Sequence, residues 1–269
     1  ASDVYKRQEK KLSFDQTLFL AQFAEACNAV WEDEQNAVSH ARRRRFSILL
    51  MGQGGSGKTA VVQQIVLPTM DFLFPPKDDG RRSSLIACAS WAQAENISTA
   101  SHKAVSCHNA ACMRVQSLRN RDMLPGDHRP RLERKWEHLW LLVLEEVGMI
   151  SPGLFNMLLY RSFFGRCNAW EVAEPMYNTC EGAFGRMPIL ILLGDFLQLR
   201  PTGSLSLLDN LALLDDKRDV PAEHQQASKL FKRTPLCFEL ASTDGVHAEP
   251  DETDASPHQG RMADNPGQR

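Results

Sequence analysis

The chain has 269 residues and a formal net charge of −2. Hydrophobic residues make up 43% and charged residues 24%, which supports a core of normal size and excludes global disorder. No apolar run reaches the roughly 18 residues of a membrane span, and a near-neutral chain can meet nucleic acid only through local basic patches.

The first eight residues, ASDVYKRQ, resemble a translated sequencing-adapter end. Residues 1–11 are therefore expected to be non-native or disordered. Phe14 to Val38 carries helical apolar spacing, with Phe14, Leu18, Phe23, Cys27 and Val30 among its apolar positions. Phe46 to Met51 is a short apolar run ending in glycines, the pattern of a buried strand. Lys58 to Leu67 reads as a helix stopped by Pro68, and Pro68 to Ser83 as a loop. Ser84 to Ala89 is a second strand, and His102 to Val115 a helix. Arg119 to Arg134 reads as a polar connection. Trp140 to Leu144 is a third strand, Pro152 to Phe164 a helix, and Ile189 to Leu193 a fourth strand. From about Gly245 onward the chain is rich in Pro, Gly, Asp and Glu, so residues 241–269 are expected to be a disordered tail. Continuous apolar strands separated by helices predict an α/β fold, with a mostly parallel sheet covered on both faces.

The seven cysteines form no disulfide framework, because their number is odd and no secretory signal precedes them. Reduced thiols point to an intracellular compartment. Cys107, Cys112, His102 and His108 lie close in sequence, but their spacing fits no strong zinc pattern.

The strongest signal is Gly52-Gln53-Gly54-Gly55-Ser56-Gly57-Lys58-Thr59, a full match to G-x-x-x-x-G-K-[ST]. A triphosphate needs backbone N–H groups wrapped closely around it, and glycines allow that approach. Gly52, Gly54, Gly55, Ser56 and Gly57 would line this cradle. The helix that follows points its N-terminus at the phosphates. Lys58 would sit on the β- and γ-phosphate oxygens, and Thr59 would ligate Mg²⁺. The motif lies between a predicted strand and a predicted helix, the context it requires.

Such a loop needs acidic partners at the end of another strand. Leu141-Leu142-Val143-Leu144-Glu145-Glu146 supplies them. Glu145 would hold Mg²⁺, usually through water, and Glu146 would orient and deprotonate the attacking water. The plainer reading is a pair of solvated carboxylates capping the next helix. Gly194-Asp195-Phe196-Leu197-Gln198-Leu199-Arg200-Pro201 follows the fourth strand, and Asp195 and Gln198 could reach the γ-phosphate from there.

In these segments the sequence resembles the Pif-type DNA helicases of superfamily 1B, relatives of RecD, over about residues 12–240. Their third motif, G-D-F-x-Q-L-P-P, is matched from Gly194 to Pro201. Their second, D-E-x-S-M-I, is matched by Glu145-Glu146-Val147-Gly148-Met149-Ile150. Their Q motif is matched by Leu12-Ser13-Phe14-Asp15-Gln16, and motif Ia loosely by Cys88-Ala89-Ser90-Trp91-Ala92-Gln93-Ala94. The resemblance implies a RecA-like P-loop NTPase domain and an ATP-driven motor stepping 5′ to 3′ on single-stranded DNA. It implies that Gln16 reads adenine, that Gln198 couples the γ-phosphate to movement, and that Ser90 touches the DNA backbone. Trp91 either stacks on a base or packs on the sheet. The implied roles include telomere maintenance, DNA repair and recombination, and organellar genome upkeep, in a nucleus or mitochondrion if the source is eukaryotic.

Three departures from the family pattern stand out. Glu145 replaces the usual Asp, and its extra methylene pushes the carboxylate toward the metal. Arg200 replaces the first proline of L-P-P. A polar tail stands where a second motor domain and its γ-phosphate-sensing arginines are expected, so the chain is expected to bind Mg·ATP weakly and unwind nothing alone. Two basic stretches remain. Arg42 to Arg45 either meets phosphates, serves as a nuclear address, or is a solvated connection. Arg114, Arg119, Arg121, Arg129, Arg131, Arg134 and Lys135 either track a nucleic-acid backbone or form a solvated loop. The rival readings are an inactive nucleotide-binding relic and a non-helicase P-loop enzyme such as a nucleotide kinase.

Overall fold

The computed structural model describes residues 12–113, 128–167, 182–195, 201, 205–207 and 225, and the backbone of residues 236–240. The elements, in chain order, are α1 (Phe14–Gln35), β1 (Phe46–Gly52), α2 (Lys58–Val61), a π-helical turn (Val62–Val66), α3 (Leu67–Leu73), β2 (Ser84–Cys88), α4 (Trp91–Ile97), β3 (Val105–Ser106), α5 (Cys107–Ala110), α6 (His128–Trp136), β4 (Leu141–Glu145), α7 (Pro152–Arg166), β5 (Ile189–Gly194) and β6 (Leu236–Leu240). The sheet has the order β3-β2-β4-β5-β1-β6, and every pairing is parallel. This is the expected α/β architecture, and it is RecA-like.

Strand alternation builds two cores. Ile48, Ile86, Val143 and Ile191 face one side with α1 to α4. Leu142, Leu144, Leu190 and Leu192 face the other with α5 to α7. β4 and β5 are buried along their whole length. Covering both faces is why their sequences read as unbroken apolar runs.

α1 starts at a capping box in which Ser13 and Gln16 satisfy each other's backbone N–H groups. It stops three residues before the expected Val38. Ala37 turns left-handed, and the N–H of Val38 closes on the Asp33 carbonyl at 2.9 Å. The four arginines that follow are partly consumed inside the fold. Arg44 pairs with Asp33 and donates to the Ala29 carbonyl. Arg43 pairs with Glu34 and lies over the Trp140 ring.

Pro68 does not end the helix that follows the phosphate loop. The π-helical turn shifts the hydrogen-bond frame, with the Leu67 N–H reaching back to Val62. Pro68 then enters at the first turn of α3, where its missing N–H is tolerated.

The helix expected over His102 to Val115 is a short strand followed by a single turn within the described part. Ser106 caps that turn, and a left-handed Cys112 closes it. The polar connection expected up to Arg134 ends in a helix instead. α6 buries Leu132 and Trp136 one turn apart, beneath a cationic exterior that hides the pattern. α4, β3 and β6 are further elements absent from the sequence reading. Residues 1–11 and 241–269 lie outside the described residues.

Candidate nucleotide site

The C-terminal ends of four adjacent strands place the candidate residues along one edge of the sheet. In spatial order they are Ser90 and Trp91 after β2, Glu145 and Glu146 at β4, Asp195 after β5, and the phosphate loop after β1. Gly194 permits the closeness of this edge. A Cβ there would lie 2.8 Å from Cγ1 of Val147, so the turn after β4 could not pack over β5.

The loop residues Gly52, Gly54, Gly55, Ser56 and Gly57 run from β1 into α2. Gly57 caps α2 with φ +83, a left-handed conformation that costs a side-chain-bearing residue energy. A Cβ at Gly57 would also lie 2.8 Å from Nε2 of Gln16. Lys58 is buried, and its ammonium is held within the loop. Its Nζ donates to the carbonyls of Gly52 at 2.5 Å and Gln53 at 3.0 Å.

Thr59 meets Glu145 across the crevice, its hydroxyl donating to Oε1 at 2.5 Å. Glu145 is only 4% exposed, and its Oε2 is buried without a hydrogen-bond partner. Burial raises its pKa above the ordinary value. The Thr59 hydrogen bond and the Lys58 charge act against that shift, and Glu146 adds to it. Glu146 sits in a left-handed conformation at φ +53, an uncommon state for a side-chain-bearing residue that tends to cluster at functional sites. Its Oε2 is likewise buried without a hydrogen-bond partner. Burial raises its pKa, Lys58 opposes the rise, and Asp195 adds to it.

These groups form a fit for Mg²⁺. Two carboxylates with an unsatisfied oxygen each, and one hydroxyl, supply the hard oxygen donors this ion takes. Mg²⁺ keeps several waters, so it needs no cage of three protein carboxylates. Among the described residues no group of three or more His, Cys, Asp or Glu forms such a cage.

Gln16 reaches this site from α1. Its Oε1 accepts from Ser13 N at 3.0 Å, and its Nε2 donates to the Ser56 carbonyl at 3.1 Å. One amide thus caps α1 and braces the phosphate loop. Ser90 caps α4 in a second capping box, with Gln93. Trp91 does not pack on the sheet. It is 57% exposed at the start of α4, and its Nε1 donates to Glu95 at 2.8 Å. Gln198 and Arg200 fall outside the described residues.

The sequence reading gave no separate role to Gln93. Its Nε2 lies 2.8 Å from Sδ of Met149, just past Glu146. This contact joins the start of α4 to the turn beside the carboxylates. The S-x-x-Q pattern from Ser90 to Gln93 is the signal that marks it. Cys107 and Cys112 lie in the core, and His102 pairs with Asp71 at 3.1 Å.

No family model matches the chain. The chain is 25% identical over 175 residues to the ATP-dependent DNA helicase PIF6 of Trypanosoma brucei brucei, covering 65% of this chain and 19% of that protein. Its fold is similar to Pif1 helicase from Candida albicans (TM-score 0.51, 16% identity), over 86% of this chain and 40% of that one. It is also similar to a double mutant of Pif1 helicase from Bacteroides (TM-score 0.53, 18% identity), over 90% of this chain and 44% of that one. The chain therefore spans about a fifth of its curated relative and about two-fifths of the solved structures. Among the described residues, no helix is long and apolar enough to cross a membrane. In sequence the chain is thus similar to a PIF6 helicase, and in fold to Pif1 helicases, over part of the length of each.

Proposed function

We propose that this chain is the ATP-binding motor domain of a Pif-type DNA helicase, which couples ATP hydrolysis to 5′-to-3′ movement on single-stranded DNA. The observation that carries the proposal is the convergence of Lys58, Thr59, Glu145 and Glu146 at one sheet edge. The loop and the α2 N-terminus bind the phosphates. Lys58 exchanges its carbonyl partners for phosphate oxygens. Thr59 and Glu145 would hold Mg²⁺, which would supply charge neutralisation on the phosphates. Glu146, with its raised pKa, accepts the proton of the attacking water. Asp195, beside it, keeps that segment acidic. Gln16 braces the loop and faces adenine, and Gln198 senses the γ-phosphate. Ser90 and Trp91 meet single-stranded DNA, Trp91 by stacking. The Gln93 to Met149 contact supports coupling between the two sites.

The test is ATP turnover by the 269-residue chain, with and without single-stranded DNA. Lys58→Ala is expected to lower turnover by about a hundredfold or more, as loss of a transition-state electrostatic contact does. DNA stimulation in the wild type supports the helicase reading. DNA-independent phosphoryl transfer to a small acceptor would replace it with a kinase.

One observation favours a second reading, a nucleotide-binding relic. Glu145 touches Thr59 directly, so two of the groups that would hold the metal satisfy each other in this structure. Nucleotide binding without turnover would support that reading.

A further inference from the structure

A groove of about 460 Å³ opens at the other end of the sheet, lined by Arg81, Arg82, Arg131, Arg134, Lys135 and His138 among others. Arg81 and Arg82 precede β2, and His138 precedes β4. The nucleotide loop lies beyond the opposite ends of these strands. Five-residue strands at ~3.3 Å per residue separate the two regions by about 16 Å.

The charges in this groove are unevenly compensated. Asp79 and Glu137 engage Arg81, and Asp71 engages Arg82. Among the described residues no carboxylate forms a salt bridge with Arg131, Arg134 or Lys135, and Asp79, paired with Arg81, interacts with Arg134 at longer range. Lys135 instead donates to the neutral Asn109 carbonyl and side chain, at 2.7 and 2.8 Å. The three cations occupy positions i, i+3 and i+4 of α6, where like charges repel. Burial, helped by the Arg131 charge, pushes the Lys135 pKa down. His138 is pushed down to about 4 by burial and by Arg81 and Lys77, so near neutral pH it offers a hydrogen bond and no charge. A bound polyanion would relieve this repulsion.

We propose that this groove is a second nucleic-acid contact, which holds strand phosphates independently of the nucleotide site. Two guanidinium forks and an ammonium match phosphate oxygens. An acidic protein partner fits less well, because such interfaces rest on aromatic or aliphatic anchors. The large exposed apolar side chains, such as Phe14, Phe72 and Trp91, lie outside the groove. The whole chain is slightly acidic, so this attraction is local. The contact adds to the one proposed at Ser90 and Trp91 and does not depend on it.

The test is fluorescence anisotropy of the full chain with a labelled single strand and a labelled duplex across a salt series. The triple variant Arg131→Ala, Arg134→Ala, Lys135→Ala is expected to weaken binding of at least one DNA form about tenfold near 0.1 M salt. Its log–log salt slope should fall by about 1 for each cation removed. Arg131→Ala and Arg134→Ala alone each change an exposed side chain, and each should lower the slope by about 1. Arg131→Lys with Arg134→Lys should keep the wild-type slope. Binding of a fluorescent ATP analogue reports that the variants remain folded. Unchanged DNA affinity and slope in the folded variants overturn the proposal. So does a labelled polyglutamate peptide that loses binding in the triple variant while DNA affinity stands. Lys58→Ala should leave the groove's salt slope intact, which separates failure here from failure of the proposed ATPase.

Discussion

At Glu145 one methylene decides between two readings of the site. The carboxylate reaches Thr59 directly, and a side chain one methylene shorter would draw back from that contact and leave both groups free for a metal. Glu145→Asp is therefore expected to tighten Mg²⁺ dependence by about tenfold, the effect of restoring one charged ligand geometry. A magnesium titration of nucleotide binding or turnover measures it, and an unchanged Mg²⁺ dependence would overturn it. The same residue carries a pH signature. Its folded pKa is raised by burial, so the folded state holds the proton more tightly than the unfolded chain does. That contribution to stability is complete below the ordinary value of 4.5 and is lost as pH rises through the raised folded value. Glu145→Gln should make the metal-free chain more stable near neutral pH and flatten this decline. Thermal melts from acid to neutral pH report it. The glycine-rich loop and the two carboxylates stood out in the sequence because their residue types and spacing are distinctive, and the structure brings them to one edge of the sheet. The side-chain partners of Gln16 and Gln93 were not, because they depend on how distant segments meet.

Elements were legible where a local pattern had one structural meaning. The apolar runs of β1, β4 and β5 could be little else than buried strands. Pro68 reads locally as a stop, but the π-helical turn before it carries the helix on to Leu73. α6 was missed because composition spoke louder than its two buried positions. Its contact with α7 is tight. A Cβ at Gly165 would lie 2.7 Å from Cβ of Trp136 and 3.0 Å from the Leu132 carbonyl. Gly165→Ala must push these helices apart, and should cost about 1–3 kcal/mol, the usual cost of overpacking. Chemical denaturation of wild type and variant measures it. Arg166, beside that glycine, is fully buried and donates to the carbonyls of Gly185, Trp136 and Leu139. Its burial explains why α7 runs past the expected Phe164.

Across the whole molecule, the parallel, two-sided sheet followed from alternating strand and helix patterns. Strand order did not, because nothing local says that β5 lies between β4 and β1. The two strands that were missed, β3 and β6, are both edges. β3 is only two residues long, and an edge strand lacks the unbroken apolar run of a buried one. Hydrogen exchange should follow this geometry. Amides of the central strands β4 and β5 are expected to be the most protected, and those of β3 and β6 to open first. Slowest exchange in β6 would contradict it.

The position of β6 also bears on synthesis. It pairs with β1 through residues nearly 190 positions apart, such as Ile48 with Leu236. At roughly 5–20 residues per second, about 10–40 s pass on the ribosome between the making of the two partners. During that interval one side of the strand that carries the phosphate loop presents unpaired backbone groups, the kind of edge that invites wrong pairing. The nascent chain thus exposes such an edge at the strand that leads into the glycine-rich loop.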